Sequence, residues 1–208
     1  LWINDSPASI GLTPDGVVGA EGTPTATPEY GVSRLEAMRS SLFWTLAVIF
    51  AAFSFCLFGL LPHLVPMLTD RGMGGGDAAS AAAMIGVAII GSRLVIGYIL
   101  DNIFGPYVAF ACMLLATLGL GMLAVGVAPS GAYLATILVG IGVGAELDLL
   151  AYLVGRYFGM RFFGQIYGFL FGAFLVGGSL GPYAYGVTFE ATGSYAPMLI
   201  FCTAITAL

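Results

Sequence analysis

Five stretches of this chain run for about twenty residues each with almost no charge, the length an α-helix needs to cross the hydrocarbon of a bilayer. They cover residues 41–61, 78–100, 107–127, 132–154 and 162–188, and a sixth begins at 197. Hydrophobic residues make up 59% of the 208 and charged residues only 8%, against about 25% charged in an ordinary soluble domain. A single globular core could not hide that surface, so lipid must be its solvent. In lipid each segment has to satisfy its own backbone hydrogen bonds, which favours helices. The expected fold class is therefore an all-α, polytopic membrane protein with five full transmembrane helices and an incomplete sixth.

The ends read differently. Residues 1–40 are rich in Pro, Gly, Ser and Thr and show no helical apolar period, which predicts a flexible connector ahead of a helical bundle over 41–208. The chain starts at leucine without a signal-peptide pattern and stops inside an apolar run, so a piece of a longer protein is expected. Pro62 and Pro66 are expected to disturb the end of the first span. The length of the fifth predicts tilt or a kink near GGSLGP, residues 177–182.

Basic residues set the expected orientation. The six are all arginines: Arg34, Arg39, Arg71, Arg93, Arg156 and Arg161. Arg34 and Arg39 precede the first span, Arg156 and Arg161 lie between the fourth and fifth, and only Arg71 falls in a loop on the other side. Cytoplasmic loops retain positive charge. The connector and the 101–106 and 155–161 turns are expected on the cytoplasmic side of the cell membrane, and loop 62–77 outside. So few cations, without clustering, exclude a nucleic-acid-binding face. Cys56, Cys112 and Cys202 fall in apolar runs and read as packing thiols, and no metal-ligand spacing appears. No cofactor is expected.

Charges inside the spans are the sharpest functional signal, because they are costly there. Arg93 lies eight residues before Asp101, about 12 Å into its helix. Two roles are open to it. It could pair with Glu146 or Asp148, or its planar guanidinium could grip a carboxylate through two parallel hydrogen bonds. Glu146 and Asp148 lie about 15 Å and 12 Å from Arg156 along the fourth span. Residues two apart point about 200° away from each other, so these acids cannot share one partner. Either acid could hold a coupling proton or be fixed by an arginine or by helix-end amides, the latter being favoured for Asp148. His63, the only histidine, stands at the outer mouth between two prolines, either as a wet surface residue or as a titrating one that helps bind the substrate.

Gly164, Gly168 and Gly172 repeat every four residues, as do Gly140 and Gly144, a spacing that lets helices approach closely in lipid. Two look-alikes carry no chemistry. GGSLG at 177–181 matches a hydrolase elbow, but that motif needs a strand-to-helix turn. GIGVG at 140–144 lacks dinucleotide-loop spacing, and no lysine exists to cradle phosphate.

The segment GSRLVIGYILDNIFG, residues 91–105, resembles the G-R-x-x-x-G-x-x-x-D signature between the second and third helices of each half of a major facilitator superfamily transporter. LPHLVPMLTDRGM, then GAELDLLAYLVGRYFG, then FGQIYGFLFGAFLVGGSLGPYAYGVTFEATGSY resemble the carboxyl-terminal six-helix half of that fold. Among its members the likeness is to the oxalate/formate antiporter and monocarboxylate-transporter-like group. The resemblance implies a secondary transporter moving a small, monocarboxylate-like organic anion by alternating access, completed by an amino-terminal half. It places Arg93 where these carriers bind the substrate anion. It makes Asp101 a cytoplasmic gate residue with Arg156 or Arg161 as partner, although Asn102 replaces the usual basic residue after it. Dicarboxylate members use a lysine that this chain lacks, which argues for a singly charged substrate. A coupling proton would fall to a carboxylate or to His63. The competing expectation is a non-transporting membrane sensor or assembly subunit with the same fold.

Overall fold

The structure, a computed structural model, describes residues 31–208, so residues 1–30 of the expected connector lie outside the described residues. Every long element within that range is helical. The first span is α2, Ser41–Leu60, which runs through a 3-10 turn at Leu61–His63 into α3, Leu64–Asp70. The break falls at Pro62, where a missing N–H and a fixed φ disturb the α-ladder. The other spans are α4, Gly75–Asn102; α5, Gly105–Val125; α6, Pro129–Phe158; and α7, Phe163–Thr192. The last element, α8, is Ala196–Thr206; its 11 residues rise about 16 Å, too little to cross a bilayer.

Local chemistry sets the helix ends. Proline occupies the first turn of α5, α6 and α8, where its absent N–H leaves no bond unmade. Gly126 and Gly193 close α5 and α7 with φ of 81° and 67°, a left-handed conformation that costs glycine little. The connector is not all loop. Residues 34–39 form α1, Arg34–Arg39, whose Ser33 and Glu36 make a reciprocal capping box. The Val32 N–H donates to Phe158 O at 2.8 Å, tying this segment to the end of α6.

The helices pack as a bundle in which α6 is the most enclosed, with 61% of its most apolar stretch buried. On one side α6 packs against α4 and α5; α2 packs against α7, and α8 lies on α5. Glycines make the two closest seams. A Cβ on Gly140 would stand 2.7 Å from Ala88 Cβ and 2.9 Å from Ile85 O, and one on Gly144 would meet Ser92 Oγ. On the other seam Gly177 lies against Ala51 O and Gly181 against Phe55 O, and Ser54 Oγ donates to Phe174 O at 2.8 Å. The core falls into two clusters along the bundle. One gathers Leu57, Leu60, Leu64, Leu120 and Tyr185, and the other Phe43, Phe50, Leu150, Phe158 and Ile166.

By contrast, α4 and α7 are only 22% buried over their most apolar stretches. A Cβ on Gly164, Gly168 or Gly172 of α7, or on Gly86 or Gly97 of α4, would meet nothing within 4 Å. The glycine repeat at 164–172 thus forms no seam among the described residues, whereas the one at 140–144 does.

Candidate functional site

Arg93 lies on the uncovered side of α4. Its neighbour Ser92 is buried against Gly144, with its hydroxyl donating to Ile89 O at 3.0 Å. One residue on, about 100° around the helix, Arg93 is exposed, on the same arc as Gly86, Ile90, Gly97 and Asp101. Among the described residues its guanidinium has neither hydrogen-bond nor ion-pair partner, so the alternative pairing with Glu146 or Asp148 is not made. Its guanidinium thus stands about 12 Å along α4 from Asp101 with no protein partner among the described residues.

The two acids of α6 separate as their spacing requires. Asp148 is half-buried, while Glu146 is 3% exposed and neither of its carboxyl oxygens has a hydrogen-bond partner. Phe53 of α2, Cys112 and Met113 of α5, and Gly142, Ala145 and Leu149 of α6 surround it. None of them offers a charge.

His63 is half-buried rather than wet. Its Nε2 lies 3.0 Å from Pro182 O and its Nδ1 3.3 Å from the Tyr195 hydroxyl, while the ring stacks on Tyr185 at 5.9 Å. With Nε2–H donating to the carbonyl, Nδ1 accepts from Tyr195, and both nitrogens are occupied. His63 therefore ties the α2–α3 break to Pro182, inside α7, and to the start of α8. No hydrogen bond among the described residues brings it to Arg93.

At the opposite end of the bundle, Asp101 is exposed at the last turn of α4 and makes no ion pair among the described residues. Arg156 lies over the Phe104 ring at 5.8 Å and Arg161 over Phe162 at 5.3 Å. Both candidate gate arginines are thus engaged with aromatics in this conformation. Arg71 stands at the other end, where its guanidinium donates to Leu123 O at the close of α5.

Two grooves lie elsewhere. One of about 570 Å³ between α4, α5 and α6 is lined by Ser92, Val95, Ile99, Tyr107 and other mostly apolar residues, and Arg93 is not among them. The second, about 590 Å³, lies between α2, α5 and α8. Neither presents a charge to an anion. Ser179 of GGSLG is exposed on a helix and donates to Leu175 O at 2.7 Å, without an elbow around it. Among the described residues no group of His, Cys, Asp or Glu converges as a metal site requires.

Five helices long and apolar enough to cross a membrane, packed as one bundle, define the class of polytopic membrane proteins. Residues 9–182 match the Major Facilitator Superfamily profile, and the chain belongs to that family. It is 30% identical over 188 residues to human monocarboxylate transporter 11, a match covering 84% of this chain and 39% of the relative. The mouse monocarboxylate transporter 11 is 28% identical over 219 residues, covering 94% of this chain and 47% of the relative. An uncharacterized 38 kDa protein in the 23S RNA operon of Thermoproteus tenax is 30% identical over 175 residues, covering 81% and 43%. The chain spans less than half the length of each of these relatives.

Proposed function

We propose that this chain is the carboxyl-terminal half of a secondary transporter that carries a small monocarboxylate across the cytoplasmic membrane by alternating access. The observation that carries this reading is Arg93, a cation inside a membrane helix, exposed and unpaired among the described residues. The uncovered faces of α4 and α7 are suited to line a cavity against an amino-terminal half, the arrangement of a site at the interface of two repeats. The names of the two mammalian relatives support a monocarboxylate as cargo.

In this mechanism the substrate's carboxylate takes the two parallel N–H groups of Arg93, and the halves rock about it. At the cytoplasmic end the gate closes when Arg156 or Arg161 leaves its aromatic ring for the Asp101 carboxylate. His63 acts at the outer end as a tie between helices rather than as a substrate ligand.

The test is substitution of Arg93 in the whole protein. Arg93→Lys keeps the charge and loses the fork, so it is expected to insert and melt normally while losing most carboxylate binding. Arg93→Ala is expected to lose about a hundredfold or more. Unchanged binding by a well-folded Arg93→Ala protein would refute the role.

A further inference from the structure

The groove of about 570 Å³ between α4, α5 and α6 lies on a face of α4 that does not carry Arg93. Its α4 wall extends from Ala88 to Ile103, about 22 Å of helix. Ala111 of α5 and Ile141 of α6 stand on its other walls. The chains of one lipid leaflet span about 15 Å, half of the hydrocarbon thickness, so the groove is long enough for one of them. Its chemistry suits hydrocarbon. The Ser92 hydroxyl is already spent on Ile89 O at 3.0 Å, and Val95, Ile99 and Ile103 continue the wall. Gly91 keeps the groove wide, since a Cβ there would meet nothing within 4 Å.

One end of the groove is not neutral. It finishes at Ile103 and Tyr107, at the end of the bundle that the arginine distribution places in the cytoplasm. Tyr107 is 71% exposed, as amphipathic rings are at the level of lipid headgroups. The Phe104 ring meets it edge-on at 5.6 Å, and the exposed guanidinium of Arg156 lies over Phe104 at 5.8 Å. A cation therefore stands where a chain lying in the groove would join its headgroup. Asp101, two residues before Ile103, points about 200° away from it around α4, so that carboxylate does not oppose an anion at the mouth.

We propose that this groove binds one acidic phospholipid of the cytoplasmic leaflet, with an acyl chain along α4 from Ile103 towards Ala88 and the phosphate on Arg156. The lining offers no free hydrogen-bonding wall to a peptide, whose backbone would go unsatisfied there. The cytoplasmic leaflet is the one that carries acidic lipids. While a phosphate holds Arg156, only Arg161 is left to meet Asp101, so the lipid bears on the gate without touching the anion site. That consequence alone rests on the transporter reading; the lipid site does not.

Native mass spectrometry of the whole protein, released from micelles containing phosphatidylglycerol and phosphatidylcholine with identical chains, tests it. The unsubstituted protein should retain a single lipid and hold phosphatidylglycerol about fivefold more tightly, the worth of one arginine beside an acidic surface. Arg156→Gln should still retain lipid but lose that preference. Gly91→Phe, growing into open space, should lose retained lipid of both kinds. Ala111→Phe, on another wall, repeats the test should Gly91→Phe melt low. Retention by the phenylalanine variants at the unsubstituted level would overturn the groove as the seat of the chain. A preference absent from the unsubstituted protein, or surviving in Arg156→Gln, would overturn the phosphate contact. A dimer that Gly91→Phe dissociates would assign the groove to a second copy and overturn the proposal. No readout depends on transport, so the transporter reading stands or fails separately.

Discussion

Adding a methyl group at Gly140 should loosen the seam between α4 and α6, and the same change at Gly168 should not. At Gly140 the new Cβ would stand 2.7 Å from Ala88 Cβ and 2.9 Å from Ile85 O. Carbon atoms rest at about 3.5–4.0 Å, so α4 would have to move back by roughly 1 Å along its contact with α6. Overpacking of that kind costs about 1–3 kcal/mol. Alanine recovers up to about 1 kcal/mol through its better helix propensity, leaving Gly140→Ala destabilised by up to about 2 kcal/mol when that recovery is complete. At Gly168 the Cβ would meet nothing within 4 Å, so only the propensity gain of up to about 1 kcal/mol remains. The buried free thiols of Cys56, Cys112 and Cys202 supply the assay. A dye that fluoresces on binding thiols reports unfolding as the purified chain is heated in detergent, and Gly140→Ala should melt lower than the unsubstituted chain. Gly168→Ala should melt at the same temperature or higher. Equal loss at both positions would refute the assignment of the first glycine to a seam and the second to an open face.

Three further outcomes follow from particular residues. Hydrogen bonds from Ser33 hold the Glu36 carboxyl below the usual carboxylate range. The capping box of α1 is therefore fully formed above that range and is lost as pH falls through the lowered value. The protection of the α1 amides, corrected for intrinsic exchange, should fall on acidification in the native chain, and Glu36→Gln should remove that pH dependence. Asp101→Asn is expected to lower turnover more than apparent affinity; a change in affinity alone would exclude a gate role. A cysteine placed at Arg71 should react with an impermeant reagent from outside intact cells and one at Arg161 should not, and the reverse pattern would invert the topology.

Apolar run length made most of the fold legible, because lipid leaves helices as the form such segments take. The expected spans differ from the observed helices mainly at their ends. Thus α4 begins at Gly75 rather than 78, and α6 continues to Phe158 rather than 154, since polar residues at the interface extend a helix that hydropathy alone cuts short. The short helix α1 was hidden by the composition around it, although Ser33 and Glu36 carry a capping signature that could have disclosed it. Spacing showed that glycines recur every four residues but not which repeat had a partner. That depends on which helices become neighbours. The isolation of Glu146 was beyond reach for the same reason, since α2 and α5 build its surroundings from distant sequence. Whether His63 stood in water stayed open because Tyr195 and Pro182, which hold it, follow more than a hundred residues later.

The central claim, that this chain is half of a carrier with its anion site facing the other half, is tested most directly by exchange in proteoliposomes. The whole protein, the chain alone and the whole protein with Arg93→Ala would each be loaded with an unlabelled small monocarboxylate and offered the labelled one. Saturable exchange is expected from the whole protein, none from the chain alone although it inserts, and none from Arg93→Ala at wild-type melting temperature. Exchange by the chain alone at a rate close to that of the whole protein would contradict the two-half site. Undiminished exchange by Arg93→Ala would contradict the role of the arginine within it.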